Sequence, residues 1–255
     1  MIENAVKNRW NAGEEALGLW LGAADPRTAE MLGSLPYHYI NVDLQHGLND
    51  YDTMLATFQA LRWSNAMPFV RVPWNEPGVI GRVLDAGAMG VIIPMVNSVA
   101  EAADAVAFCR YPPAGRRSFG PIRAGSALGG RYYQESNGQV AVIPMIETVE
   151  ALEAIDDILA VDGIDAVYVG PSDLALSLGL GPGNDHPEPV FVEAIDRILA
   201  ACERHGVIAG IHSQPDVVDL RRSQGFKMIT VTSDTAALMD GAARALDVAG
   251  TPPVY

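Results

Sequence analysis

Cysteine is nearly missing from this chain of 255 residues. The two present, Cys109 and Cys202, fall inside helical patterns and have no metal-ligand spacing. They read as buried thiols of a reducing compartment, with no disulfide framework and no thiolate metal site. Positive charge is scarce as well. Lys and Arg number 17 against 31 Asp and Glu, a formal net charge of −14 at pH 7. That balance argues against nucleic acid or an anionic membrane as partner, and its plainest meaning is a soluble, self-repelling surface. No apolar run reaches the length of a membrane span, and the opening MIENAVKNRWNAGEE has no signal-peptide core. The expectation is a soluble, cytoplasmic protein. No Ser or Cys nucleophile motif is found either.

What is present is apolar residue in quantity, 49% of the chain, arranged in short runs. Eight such runs read as strands: residues 17–21, 38–43, 68–73, 90–96, 140–146, 166–169, 207–212 and 227–232. Several are apolar nearly throughout, as in parallel strands covered on both faces. Helical patterns separate them, and residues 1–15 read as a leading helix. Asp25-Pro26, Asn49 or Asp50, Asn75-Glu76-Pro77 and Ser233-Asp234 mark helix starts, and Ser98 with Glu101 reads as a capping box. The stretch 112–138 reads as one long irregular segment carrying Arg116, Arg117, Arg123 and Arg131. A loop of that length is usually functional or an interface arm. Eight strands alternating with helices over 1–255, with no linker, predict an α/β fold: one (β/α)8 TIM barrel.

In that fold the C-terminal ends of the strands carry the chemistry. Glu147 follows the fifth run and Asp173 lies just beyond the sixth. A right-handed βαβ unit opens both exits on one side, so two hard oxygen ligands suited to Mg²⁺ or Mn²⁺ come together. Both could equally be acidic residues placed beside helix N-termini. Arg71 stands between Val70 and Val72 in the third run, where a guanidinium must be paired, with Glu147 as the candidate partner, or line a cavity. Gln45 and His46 leave the second strand in DLQHG. Imidazole there could act as acid or base, with Asp43 to orient it, or be merely structural. His212 and Ser233 end the seventh and eighth strands, and His212 could line the pocket. His186, in a Pro-rich loop, reads as solvated. Lys227 stands at the start of a strand, so a Schiff-base mechanism lacks its lysine, and a metal Lewis acid fits better.

Taken together, INVDLQHG, PFVRVPWNEPGVIGRVLDAGAMGVIIPMV, PPAGRRSFGP, IPMIET and VYVGPSDLALSLG resemble the metal-dependent class II pyruvate aldolases of the HpcH/HpaI family, the 4-hydroxy-2-oxoheptanedioate aldolase kind. The resemblance covers nearly the whole chain. It implies a lyase that reversibly cleaves 4-hydroxy-2-keto acids to pyruvate, or a related 2-keto acid, and an aldehyde. It further implies Glu147 and Asp173 as ligands of Mg²⁺, Mn²⁺ or Co²⁺, and Arg71 on the 2-keto oxygen. His46 would serve the acceptor aldehyde, paired with Asp85 of a neighbouring subunit, and the N–H groups of Ser172 and Asp173 would take the carboxylate. The assembly implied is a homohexamer, a trimer of dimers with exchanged C-terminal helices. Many members have Gln where this chain has Met145, and several have Gly-Glu in place of Leu44-Gln45, which bears on substrate preference. A CoA-thioester lyase with similar carboxylates and a non-catalytic keto-acid or phosphoenolpyruvate-binding barrel remain the rival readings.

Overall fold

Eight parallel strands close into a barrel in sequence order: β1 (Ala16–Leu21), β2 (Tyr39–Asp43), β3 (Met67–Arg71), β4 (Gly90–Ile93), β5 (Ala141–Ile146), β6 (Ala166–Val169), β7 (Ile208–His212) and β8 (Met228–Ser233). The last pairs back onto the first. This is the (β/α)8 barrel that the spacing predicts, seen in a computed structural model that describes residues 3–23 and 25–250. The first two residues of the expected leading helix lie outside the described residues.

Strand alternation sorts side chains into two layers. Ile40, Val42, Val70, Val91, Val142 and Val167 point outward and join the surrounding helices in one large core. Tyr39, Phe69, Ile143, Met145, Tyr168 and Met228 point inward and fill the barrel. Space inside is tight. A Cβ at Gly18 would lie 2.0 Å from the ring of Tyr39 on the neighbouring strand, so only glycine fits there. At the N-terminal end the helix Ala5–Asn11 sends Val6 and Trp10 into the inner cluster. The buried Asn4 amide donates to the carbonyls of Met89 and Gln139, each at 2.8 Å. That end is stoppered, and the C-terminal mouth is left for chemistry.

Several boundaries differ from the sequence reading for physical reasons. β4 ends at Ile93 rather than 96, because Pro94 lacks an N–H and Met95 turns to φ +55°. The stretch 112–138 is not irregular throughout: it holds the helices Ile122–Ala127 and Tyr132–Gln139. Its arginines are also spent within the chain. Arg117 bonds Asp85 and the Tyr132 hydroxyl, Arg123 the carbonyls of Ala86 and Phe58, Arg116 Asp104, and Arg131 Glu135. Ser98 caps its helix, but Glu101 reaches back to the N–H of Asn97, so the box is not reciprocal. The reciprocal box forms at Asp50 and Thr53 instead. Both cysteines are buried, and burial pushes their thiols up to about 12. Among the described residues no helix is long and apolar enough to cross a membrane.

Candidate active site

The mouth of the barrel holds a cavity of about 430 Å³. Inward parity decides what lines it. Trp20, Asp43, Arg71, Tyr168 and His212 all occupy inward positions near the upper ends of β1, β2, β3, β6 and β7, and all five border the cavity.

Asp43 and Arg71 are register partners across β2 and β3. Side by side at the same height, they form a two-pronged pair: Arg71 Nε donates to Oδ1 at 2.8 Å and Nη2 to Oδ2 at 2.6 Å. The partner of Arg71 is therefore Asp43 and not Glu147. A planar fork on a carboxylate is the stronger and more directional form of ion pair. Both groups are largely buried, at 9% and 3% exposure. Burial would raise the Asp43 carboxyl, but the Arg71 guanidinium and the N–H groups of Gln45 and Trp20 hold it below the usual carboxylate range. Trp20 lies under the pair, its ring 4.9 Å from the Arg71 guanidinium carbon and its Nε1 on Asp43 at 3.2 Å.

Asp43 also shapes the next turn. Its Oδ1 accepts the backbone N–H groups of Gln45 at 3.0 Å and His46 at 3.3 Å. So Asp43 meets His46 through the main chain, not the ring. His46 itself is exposed on the cavity rim. Gln45 does not line the cavity, and its Oε1 is buried without a partner among the described residues.

Glu147 leaves β5 with 2% exposure. One oxygen, Oε1, accepts the backbone N–H of Met95 at 2.8 Å, which uses the left-handed Met95 geometry. A non-glycine residue held in that region carries local strain, the kind found at functional sites. The other oxygen, Oε2, has no partner. Gly170, on the cavity wall, would place a Cβ 2.3 Å from it, so only the bare glycine leaves room between this buried oxygen and the cavity. Burial, with the charge of Asp173 adding to it, pushes the Glu147 carboxyl up to about 7. Arg71, spent on Asp43, offsets this only weakly. Asp173 is exposed in the first turn of the helix Pro171–Ser177, and it lines the cavity with Ser172. Among the described residues no group of three or more His, Cys, Asp and Glu is placed to hold a metal ion. A metal here would rest on two carboxylates.

His212 packs edge-on against Trp20, 5.0 Å between ring centres, with Nδ1 3.4 Å from the Tyr168 hydroxyl. Burial, and then the charge of Arg71, push it down to about 4, so it is neutral near pH 7. Below it the Tyr168 and Tyr39 hydroxyls share Thr230 Oγ1 at 2.6 and 3.0 Å. Ser233 borders the cavity, yet its hydroxyl caps the last helix by accepting the N–H of Ala236.

Besides Gln45, two predicted residues do not line the cavity of this chain: Glu147, which is buried against Gly170, and Asp85. Asp85 sits on the helix Pro77–Ala86, bound by Arg117 Nη2 at 2.7 Å. Four contributors escape the sequence reading: Trp20, Tyr168, Asn184 and Asp234. Trp20 and Tyr168 lie in apolar runs and look like core, although strand parity marks both. Asp234 takes the N–H groups of Gly22 and Ala23, each at 2.9 Å, and ties the β1 exit to β8. His186 is half-buried against Phe191 rather than solvated.

Comparison with known proteins shows what the chain is similar to. The family model for HpcH/HpaI aldolase/citrate lyase matches residues 16–241. A hydroxypyruvate/pyruvate aldolase of Rhizorhabdus wittichii is 40% identical over 92% of this chain and 94% of its own. A 4-hydroxy-2-oxo-heptane-1,7-dioate aldolase of Salmonella dublin is 36% identical over 94% and 92%. A crystal structure of a protein of the same family from Burkholderia cenocepacia superposes with a TM-score of 0.91, at 33% identity, over 97% of this chain and 100% of that one. With a match from β1 into the last helix and relatives aligned nearly end to end, the chain belongs to the HpcH/HpaI aldolase/citrate lyase family and is a carbon–carbon lyase of the aldolase kind.

Proposed function

We propose that this aldolase reversibly cleaves 4-hydroxy-2-keto acids to pyruvate, or a closely related 2-keto acid, and an aldehyde, with Glu147 and Asp173 holding a divalent ion. The observation that carries the reading is Glu147 Oε2, a buried carboxylate oxygen with no partner. An orphaned buried acceptor costs stability unless something is meant to occupy it. The donors fit a hard cation: two carboxylates, no sulfur, and the remaining positions open to substrate and water, as Mg²⁺ prefers. Bound there, Mg²⁺, Mn²⁺ or Co²⁺ supplies Lewis-acid charge at the 2-keto oxygen.

The chain's own groups divide the rest of the work. Arg71 commits Nε and one proton of Nη2 to Asp43, which leaves Nη1 for the same keto oxygen. Negative charge builds there as the C3–C4 bond breaks, and a pre-aimed donor is worth most at that moment. The free N–H groups of Ser172 and Asp173, in the first helical turn, take the substrate carboxylate. His46 on the rim moves the proton of the C4 hydroxyl, and neutral His212 and Trp20 wall the donor in. In the assembled protein, Asp85 of a second copy orients His46. Exposed Phe119 and Ile122, beside Gly120 and Asp85, form an apolar patch suited to that contact. Exposed Leu238, Met239, Leu246 and Val248 on the helix Asp234–Val248 suit an exchanged terminus in a hexamer.

The two halves of this chemistry separate on oxaloacetate. Loss of CO₂ leaves the same enolate but has no hydroxyl proton to remove. His46→Ala is expected to lose roughly 10²–10⁴-fold in aldol cleavage and to keep much of any decarboxylation. Arg71→Ala is expected to lose both. Equal loss of both reactions in the His46 variant would overturn its role.

A further inference from the structure

We infer that Arg221, outside the cavity, is a positioning residue for it: it ties the loop 178–188 against the side of the site where Ser172 and Asp173 stand. The inference rests on the aldolase reading for what that side binds. Arg221 lies on the helix Val218–Gln224 that follows β7, and it is 1% exposed. A buried arginine is costly, and an apolar side chain of similar volume would fill the space at less cost. What the guanidinium contacts explains its presence. Nη2 donates to the backbone carbonyl of Asn184 at 2.8 Å and to Asp185 Oδ1 at 2.7 Å, and Nη1 donates to Gln224 Oε1 at 2.9 Å.

The loop needs such a tie. Residues 178–188, LGLGPGNDHPE, hold three glycines and two prolines and form no helix or strand. Gly and Pro leave a segment with freedom or with missing donors, so it has little of its own to hold a shape. Yet its inner edge is part of the site. Asn184 borders the cavity, and the carbonyl of Gly183 accepts the Ser172 hydroxyl at 3.3 Å. Contacts therefore run without a gap from Arg221 to Asn184 and Asp185, then through Gly183 to Ser172, which stands beside Asp173. Arg221 touches no substrate, and it acts through where it holds Asn184 and the Ser172 turn. On the far side of the loop, His186 packs on Phe191, 5.3 Å between ring centres, and fixes the other flank. With both flanks held, Asn184 has one position relative to the carboxylate end of the donor.

The test uses the metal-loaded enzyme and four variants: Arg221→Met, Arg221→Lys, Asp185→Asn and the Arg221→Met/Asp185→Asn double. Arg221→Met keeps length and burial and removes the bonds. It is expected to raise KM for a 4-hydroxy-2-keto acid roughly tenfold, the low end of what loss of an outer supporting partner costs. Its kcat should stay within about threefold and its Mn²⁺ affinity should not change. The amides of Gly181 and of residues 183–186 should exchange faster with solvent, because an untied loop opens locally. Asp185→Asn, at an exposed residue and with the bonds of Arg221 to Asn184 and Gln224 left in place, should shift KM the same way by less, and the double should match Arg221→Met alone. Arg221→Lys should recover part of the loss. Unchanged loop exchange, an unchanged KM, or a drop in kcat with KM intact would each overturn the proposal. Failure of the wild type to cleave any 4-hydroxy-2-keto acid would instead sink the aldolase reading, and the substrate-free exchange data would still judge the tie.

Discussion

Asp43 is the residue on which the most depends. One carboxylate aims the Arg71 fork, takes the Trp20 N–H and fixes the turn that carries His46. Asp43→Asn keeps the shape and loses the charge, so Arg71 is no longer locked. We expect kcat to fall by about 10²-fold, the scale of removing one oxyanion donor, and Arg71→Lys to cost as much because it loses the planar fork. Near-normal kcat in both would show the pair to be structural. Glu147 gives a prediction of opposite sign. Without metal its carboxyl titrates near 7 instead of the ordinary 4.5. Between those values the folded chain holds a proton that the unfolded chain has lost, so stability falls as pH rises through the window. In chelated protein at pH 8, Glu147→Gln should therefore be more stable than wild type, by roughly 1–3 kcal/mol. Denaturant midpoints at pH 5 and 8 check this, and added Mn²⁺ should stabilise the wild type alone. A destabilised variant at pH 8 would mean that Glu147 has another partner.

At the scale of elements, the site depends on how β5 and β6 end. Gly170→Ala would drive a methyl into the Glu147 carboxylate. The barrel beneath should hold, because the mouth is not the core, but Mn²⁺ affinity should drop at least roughly tenfold, as when a ligand's support is disturbed. An unchanged calorimetric affinity would place the metal elsewhere. The same strand ends show what the sequence makes legible. Glu147 and Asp173 stand out because each carboxylate follows an apolar run at a strand exit, although a place beside a helix N-terminus would account for them equally well. Arg71 stands out as a charge within such a run, but its partner does not, since register decides that and no single strand contains it. Trp20 and Tyr168 are hidden, because aromatics in apolar runs look like core until strand parity turns them to the mouth. The helices Ile122–Ala127 and Tyr132–Gln139 escaped because neither has a side-chain cap, so their starts carry no signal amid the glycines.

For the molecule as a whole, the barrel is the readable part, since eight repeats of one pattern reinforce one another, whereas assembly leaves only exposed apolar surface as its trace. Ile122, 90% exposed beside Phe119, is the place to test it. Ile122→Asp should shift the proposed hexamer toward smaller species in sedimentation. Activity should fall with it, since His46 would lose Asp85 of the neighbouring copy. An unchanged assembly would move the interface elsewhere, and a monomeric wild type would contradict the proposed hexamer. The central claim is that two carboxylates, Glu147 and Asp173, hold the ion on which carbon–carbon cleavage depends. Its most direct test is the rate of pyruvate release from a 4-hydroxy-2-keto acid, followed before chelation, after metal is stripped with EDTA, and after Mg²⁺, Mn²⁺ or Co²⁺ is returned. The account predicts activity, its abolition, and its recovery in the wild type, with no recovery in Glu147→Gln. Full activity in stripped wild-type enzyme would contradict it.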